Sequence, residues 1–384
     1  MKKLKIMTIF GTRPEAIKIA PIIMKFEKNQ KMIDSRIVVT GQHREMLDQV
    51  LEIFDIHPDI DLKIMKKNQS LTCITENTIK GLEKIFQKEI PDLVLVQGDT
   101  TTAFASALSA FYHKIPIGHI EAGLRTSCIY DPYPEEMNRR MVSVISSLNF
   151  APTKWSYDNL VKNGIDPDSI YLTGNTVTDA LMYILKKRKK ESLKKVNEIK
   201  KRNKKIILVE THRRENLGEP MRNVCRALKK IIDNFKDYEV VFSVHKNPLV
   251  RDVVFSELSN TQGVHLIEPL DYIDLVKLMK DSEFIMTDSG GIQEEGPSLG
   301  KPVLVLRNTT ERPEGIDAGC AKLVGTGFKD VYEEAFRIIS DRKCFLSMCK
   351  VKNPYGDGLA SQRIFEAILY YFGKRKKTIQ TFKG

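Results

Sequence analysis

The sequence predicts an α/β protein made of two Rossmann-like, doubly wound parallel-sheet domains facing one another across a cleft. Three observations carry that expectation. Short apolar, β-branched runs alternate with amphipathic helical segments, the pattern of parallel strands joined by crossover helices. The alternation pauses after Leu172 in a strongly basic segment and restarts at Lys205. A chain of 384 residues, 42% hydrophobic and 29% charged, is also long enough for two domains with a core each.

In the first half, residues 4–10, 36–40, 62–65, 93–97, 115–120, 148–151 and 169–172 read as buried strands, with amphipathic helices such as 72–89 and 135–148 between them. The second half gives strands at 206–210, 240–244, 264–267, 284–287 and 302–306, again separated by helices such as 221–235. A last helix, 359–373, follows a Pro354-Tyr355-Gly356 turn. These elements predict a first domain over 1–170 and a nucleotide-binding second domain over 171–358, with 359–384 packing back on the first.

The net charge of +12 suggests nucleic acid at first sight, but it is concentrated. Residues 186–205 hold twelve Lys or Arg and two Glu, which is +10 of the +12. Leu193, Val196 and Ile199 recur through that segment at helical spacing, so it reads as a solvated surface helix with a narrow apolar stripe. A polyanion-binding patch is the alternative, although no zinc-finger spacing or aromatic RNA-binding motif accompanies it. Cysteines at 73, 128, 225, 320, 344 and 349 form no CxxC and suit reduced thiols in a cytoplasmic protein. Lys5 and Arg13 interrupt the N-terminal apolar run too early for a signal peptide, and no stretch predicts membrane insertion.

Ligands of open parallel sheets bind beyond the carboxyl ends of the strands, so the residues following each strand are the candidates. They are Gly11-Thr12-Arg13-Pro14-Glu15-Ala16-Ile17-Lys18, Gly41-Gln42-His43-Arg44, Gly98-Asp99-Thr100-Thr101 and Glu121-Ala122-Gly123-Leu124-Arg125, then Pro134 to Arg140 at a helix start. The second half adds Thr211-His212-Arg213-Arg214-Glu215-Asn216, His245-Lys246-Asn247-Pro248 and the stretch Asp288-Ser289-Gly290-Gly291, with Arg312 beyond it. Asp288 to Gly291 turns an apolar strand into a helix start, where free backbone N–H groups and absent Cβ atoms suit a phosphate. Ser289 adds a hydroxyl, and Glu294 or Glu295 is placed to accept from ribose hydroxyls. An ordinary strand-to-helix connection is the plain alternative.

Neither GxGxxG nor GxxxxGK[ST] occurs, which argues against a tightly bound dinucleotide and against P-loop ATP hydrolysis. Cations at Arg13 and Lys18 opposite a phosphate-cradling turn suit a nucleotide diphosphate. Asp99, Glu121 and Glu135 supply carboxylates for acid or base work. Magnesium is a competing reading, but the arginines and His212 can neutralise a diphosphate, so neither metal nor cofactor is expected.

In order, GTRPE, QGDTT, HIEAGLRT, PEEMNR, THRREN, HKNP and DSGGIQEE resemble the non-hydrolysing UDP-N-acetylglucosamine 2-epimerases, from the first strand to about residue 370. The resemblance implies the two-domain fold of GT-B glycosyltransferases, a homodimer, and interconversion of UDP-GlcNAc and UDP-ManNAc for a surface glycan. It also implies elimination of UDP to 2-acetamidoglucal followed by re-addition. On the matching positions, Asp99, Glu121 and Glu135 become the acids and bases at C2, with the faces unassigned, while His212 and Arg13 stabilise the departing diphosphate. Ser289, Gly290 and Glu295 become nucleotide contacts, Glu295 being favoured over Glu294, with Lys18, Arg139, His245 and Arg312 also lining the site. The family's allosteric UDP-GlcNAc site maps to Gln42, His43 and Gln69, but Glu45 and Asn68 replace an expected glutamine and arginine, which weakens the case for activation here.

Four other readings compete with this one. A hydrolysing epimerase would release ManNAc and UDP, and a retaining glycosyltransferase would use an acceptor without exchange at C2. A silent nucleotide-sugar sensor or a polyanion-binding module is the reading from another class.

Overall fold

The computed structural model describes residues 2–41, 44–65, 69–187, 194–377 and 379–384. They form two units, Met1–Ala180 with Tyr355–Gly384, and Leu181–Pro354.

The first unit holds seven strands: β1 (Leu4–Phe10), β2 (Ile33–Val39), β3 (Ile60–Asp61), β4 (Leu93–Gln97), β5 (Ile117–Ile120), β6 (Leu148–Ala151) and β7 (Ile170–Leu172). Their order is β3-β2-β1-β4-β5-β6-β7, and every neighbouring pair is parallel. The second unit holds β8 (Lys205–Thr211), β9 (Tyr238–Val244), β10 (Val264–Ile267), β11 (Phe284–Thr287), β12 (Val303–Val305) and β13 (Ala321–Leu323). It runs β10-β9-β8-β11-β12-β13, also all parallel. In both sheets the winding reverses beside the first strand, between β1 and β4 and between β8 and β11. Such a reversal opens a crevice at the carboxyl ends of the strands.

Burial on both faces explains the continuous apolar runs. Val94, Leu95 and Val96 of β4 and Ile207, Leu208 and Val209 of β8 are fully buried. The helix Glu219–Asn234 closes one face of the second sheet with Met221, Val224, Cys225, Leu228, Ile231 and Ile232, a stripe at i, i+3 and i+4 spacing. The last helix, Ala360–Tyr371, packs on Arg13–Glu27 through Phe26 and Phe365, whose ring centroids are 6.3 Å apart. Asp179 caps it, accepting from the backbone N–H groups of Ala360 at 3.2 Å and Ser361 at 2.9 Å.

Some elements differ from expectation. Residues 62–65 form no strand: Leu62 and Ile64 donate to Val39 and Thr40, but Lys63 lies between them at φ 52°, which ends the extension after Asp61. The strand β13 has a lysine between two apolar residues and is too short to show a period. The first unit extends past residue 170, because β7 pairs with β6 and the helix Thr176–Lys186 begins within it.

The basic segment does contain a helix, Lys194–Lys201, with Val196 and Ile199 buried; Leu193 lies outside the described residues. Among its described cations, Lys200 pairs with Asp281 at 2.9 Å, Arg202 with Glu239 at 3.1 Å and Lys205 with Asp237 at 3.5 Å. Among the described residues no helix is long and apolar enough to cross a membrane.

Candidate active site

At the ends of β1, β4 and β5, three buried networks fix the acidic groups of the first unit. Glu121 follows β5 with φ 65°, a left-handed backbone that costs an ordinary residue about 1–3 kcal/mol and persists only when its surroundings hold it. They do so through the carboxylate. Lys18 pairs with Oε1, Asn175 donates to Oε1 from Nδ2 at 2.9 Å, and Gln97 donates to Oε2. Lys18 is thus buried with its amine on Glu121, a different placement from the open diphosphate-facing cation expected of it.

Asp99 follows β4 and keeps about a quarter of its side chain exposed (23%). The Arg139 guanidinium donates to its Oδ2 through Nε at 2.9 Å and Nη2 at 2.5 Å. Arg139 is aimed by Glu136, a fully buried carboxylate that accepts from Arg139 Nη1 at 2.9 Å and Arg140 Nε at 2.7 Å. So of the two adjacent glutamates at this helix start, Glu136 is the internal brace and Glu135 is the half-buried first residue. His119 of β5 fixes the backbone before Asp99: its Nε2 donates to the Gly98 carbonyl at 2.8 Å. Burial pushes the His119 pKa down to about 4, so the ring is neutral at physiological pH.

Glu15 ties the first and fourth strand ends together. It accepts from the N–H groups of Gly11 at 3.1 Å and Thr12 at 2.8 Å, and from the hydroxyls of Thr12 at 2.7 Å and Thr100 at 2.8 Å. Complete burial outweighs these donors and pushes its pKa up to about 7. Arg13, beside this knot, is half-buried and carries no ion pair among the described residues.

In the second unit, Asp288 organises the loop after β8. Its buried carboxylate accepts from Thr211 Oγ1 at 2.7 Å, from the N–H groups of His212 and Arg213 at 3.0 Å, and from Asn216 Nδ2 at 2.8 Å. His212 Nδ1 donates to Glu210 at 2.9 Å, leaving Nε2 for an incoming group, and the ring stacks on His245 at 5.5 Å. Burial disfavours the imidazolium, but the Glu210 charge and hydrogen bond, with Asp288, outweigh it and hold the His212 pKa above its ordinary value. Ligand atoms of Glu210, His212 and Asp288 come within 4.8 Å of one another, a spacing open to a metal ion. The oxygens of Asp288 already have four donors and His212 Nδ1 is on Glu210, so the arrangement fits a carboxylate-supported imidazolium better.

After β11, Ser289 caps the helix Gly290–Ser298 without using its side chain. Gly290 is required by Arg312: a Cβ there would sit 2.5 Å from Nη1 of the guanidinium. Arg312 is itself buried, pairing with Glu294 at 2.6 Å and with Glu311, so Glu294 is committed. Glu295 accepts from the buried Tyr272 hydroxyl at 2.6 Å through Oε1, while its Oε2 and Ser289 Oγ each lie 4.0 Å from the Cβ position of Gly291. A serine hydroxyl, a carboxylate oxygen and free helix N–H groups thus converge over one glycine.

The family model described as UDP-N-acetylglucosamine 2-epimerase matches residues 25–369. The chain belongs to the UDP-N-acetylglucosamine 2-epimerase family. It is 51% identical to the UDP-N-acetylglucosamine 2-epimerase of Bacillus subtilis, over 100% of both chains. A crystal structure of the Neisseria meningitidis UDP-GlcNAc 2-epimerase, bound to UDP-GlcNAc, superposes with a TM-score of 0.88 at 49% identity, covering 96% of this chain and 100% of that one. The GT-B fold extends beyond the family: a kitacinnamycin glycosyltransferase aligns with a TM-score of 0.67 at 10% identity over 96% and 99% of the chains, a likeness of fold alone.

Within each unit the family's motif residues come together as described. Asp99, Glu121, Arg139 and Lys18 share the carboxyl edge of the first sheet, and His212, His245, Ser289, Gly290, Glu295 and Arg312 that of the second. Of the allosteric set, Gln69 precedes the helix Leu71–Phe86, while Gln42, His43, Asn68 and the Glu45 side chain lie outside the described residues. Glu15 and Glu136 stand among the strand-end candidates without an assigned role, and Gln97, Asn175, Tyr272 and Glu311 are not singled out by the sequence. Glu15, Gln97 and Glu136 lie inside the motifs GTRPE, QGDTT and PEEMNR; Asn175 and Tyr272 carry no such signal.

Proposed function

We propose that this protein interconverts UDP-GlcNAc and UDP-ManNAc by elimination and re-addition, without hydrolysis. The hydrogen on sugar C2 is not adjacent to a carbonyl, so direct removal would leave an unstabilised carbanion. Breaking the C1–O bond first develops oxocarbenium character at C1 and makes the C2–H bond acidic. A carboxylate of the first unit takes the C2 proton as the electron pair of that bond forms C1=C2 and the C1–O pair leaves with UDP. The β-phosphate oxygen of UDP then adds to C1 of 2-acetamidoglucal while a carboxylic acid delivers a proton to the other face of C2.

The observation that carries the reading is the contrast between two acidic groups on one sheet edge. Glu121 is buried with Lys18, Gln97 and Asn175 all donating to it, whereas Asp99 keeps solvent access beside Arg139. Two carboxylates in unlike surroundings suit opposite proton-transfer roles. His212, whose charged form Glu210 favours, would balance charge growing on the departing diphosphate, and Glu295 with Ser289 would hold the nucleoside end. No cofactor takes part in these steps. In this reading the protein acts as a cytoplasmic homodimer, and light scattering of the purified protein tests the dimer.

Proton NMR with UDP-GlcNAc in D₂O tests the reaction. Deuterium at C2 of recovered UDP-GlcNAc and of newly formed UDP-ManNAc is expected. Free ManNAc with UDP would make the enzyme hydrolysing, and an unchanged spectrum with tight UDP binding would refute epimerisation.

A further inference from the structure

We propose that Asn175 is a positioning residue for Glu121, anchored by the chain where it re-enters the first unit at Tyr355. The inference rests on the proton-transfer role given above to Glu121. Asn175 lies after β7, far from Glu121 in sequence, and is almost completely buried. Its side chain has one orientation: Oδ1 accepts from the Val177 N–H at 3.1 Å, so Nδ2 is the end that donates to Glu121 Oε1 at 2.9 Å. Its backbone is held as well. The Asn175 N–H donates to the Tyr355 carbonyl at 2.7 Å, and the Asn175 carbonyl accepts from Thr178 at 3.2 Å.

The next residue, Gly356, seals the arrangement. A Cβ at Gly356 would lie 2.8 Å from Thr178 Oγ1 and 3.1 Å from the Asn175 carbonyl oxygen. The chain returns to the first unit between Pro354 and Tyr355, so the residues just inside that return hold the backbone of the residue whose side chain donates to the carboxylate. This gives Asn175 two tasks. It supplies a neutral donor to the same oxygen that Lys18 engages, favouring the ionised carboxylate without adding charge, and it fixes where that oxygen points from a left-handed backbone that needs external support. Other described groups around Glu121 include Lys18 from the first helix, Gln97 from β4, and the neutral His119 two residues away on β5.

Two variants separate positioning from general damage. Asn175→Asp keeps the acceptor for Val177 but replaces the donor with a carboxylate facing Glu121. Loss of a hydrogen bond to a charged group corresponds to about one to two pK units, so the acid limb of the kcat profile for C2 deuterium exchange should move up by about that much. At neutral pH kcat should fall by about 10- to 100-fold, with KM within a factor of three or so. Gly356→Ala changes no polar side chain and should move the same limb in the same direction by a smaller amount. UDP affinity, in which neither Asn175 nor Gly356 has a proposed contact, should stay within about twofold for both variants.

An acid limb that does not move in Asn175→Asp overturns the proposal, as does a variant that loses UDP affinity together with kcat. If the parent protein exchanges no deuterium at all, it is the proposed reaction that fails, and the two failures are therefore distinct.

Discussion

Replacing Gly290 with alanine tests whether the turn at Ser289 to Gly291 depends on a buried ion-pair cluster or only on glycine's freedom. As the first residue of a helix, alanine should gain about 0.5–1 kcal/mol over glycine, so propensity alone predicts stabilisation. Contacts predict the reverse. The new Cβ would stand 2.5 Å from Nη1, 2.7 Å from Cζ and 3.0 Å from Nη2 of Arg312, closer than real Cβ contacts allow. The end of an arginine would ordinarily swing aside, but this one is 8% exposed and held by Glu294 and Glu311, themselves 1% and 3% exposed. Displacing it weakens the pairing of two buried carboxylates, and breaking a buried pair costs about 3–5 kcal/mol. Glu311 retains Arg307 at 2.8 Å and Arg213 at 3.5 Å, which lowers the loss, so a net destabilisation of about 1–3 kcal/mol remains after the helix gain. For a unit of this size that is a fall of about 3–10 °C in its unfolding transition.

Gly291→Ala is the internal control, because its Cβ meets nothing nearer than 4.0 Å. It should leave the transition within about 2 °C while still weakening UDP, since a methyl group would intrude on the proposed phosphate position. Differential scanning calorimetry reports the first quantity and isothermal titration with UDP the second. If Gly290→Ala and Gly291→Ala unfold at the same temperature, Arg312 moves freely and is not held in place by Glu294 and Glu311.

Other perturbations separate the remaining networks. Glu15 binds its proton more tightly in the folded protein, with a pKa of about 7 against 4.5, so the unfolded chain holds fewer protons between those values and stability falls as pH rises through them. Glu15→Gln should flatten that slope, worth up to about 3 kcal/mol, in denaturant titrations at pH 5 and pH 7.5; an unchanged slope would assign it elsewhere. His212 is shifted upward, so its charge is present at low pH and lost as pH rises through the raised pKa; Glu210→Gln removes the main opposing charge and should bring the alkaline loss of UDP affinity to lower pH, visible by titration calorimetry. Tyr272→Phe removes one donor from Glu295 and should weaken UDP about 3- to 10-fold with little change in kcat, and equal affinity would show that Glu295 needs no such support.

The parallel α/β architecture was legible because burial on both faces writes each strand as an unbroken apolar run, as in Leu93 to Val96 and Ile207 to Val209. Where that physics lapses, so does the reading. Leu62 to Met65 has the composition of a strand, but the positive φ of Lys63 is a backbone event that composition does not encode. The site divides in the same way. Motif residues that end strands, such as Asp99, Glu121, His212 and Ser289, are exposed to inference because the topology puts every strand end on one edge. Their supports are hidden because each depends on a partner distant in sequence: Asn175 on Glu121 and Tyr355, Tyr272 on Glu295, Asp288 on the loop after β8.

Lys18 shows what such partners change. From the sequence it is a cation near a phosphate turn; in the fold it is a buried amine whose charge is spent on Glu121. In the proposed reaction a lysine so placed acts through the carboxylate it pairs with, and its loss should leave Glu121 buried with a smaller set of donors. Arg13, half-buried beside the Glu15 knot with no ion pair among the described residues, is then the better candidate in the first unit for direct contact with a diphosphate. Charge in a sequence identifies which residues can meet an anion, but pairing in the fold decides which of them is left to do so.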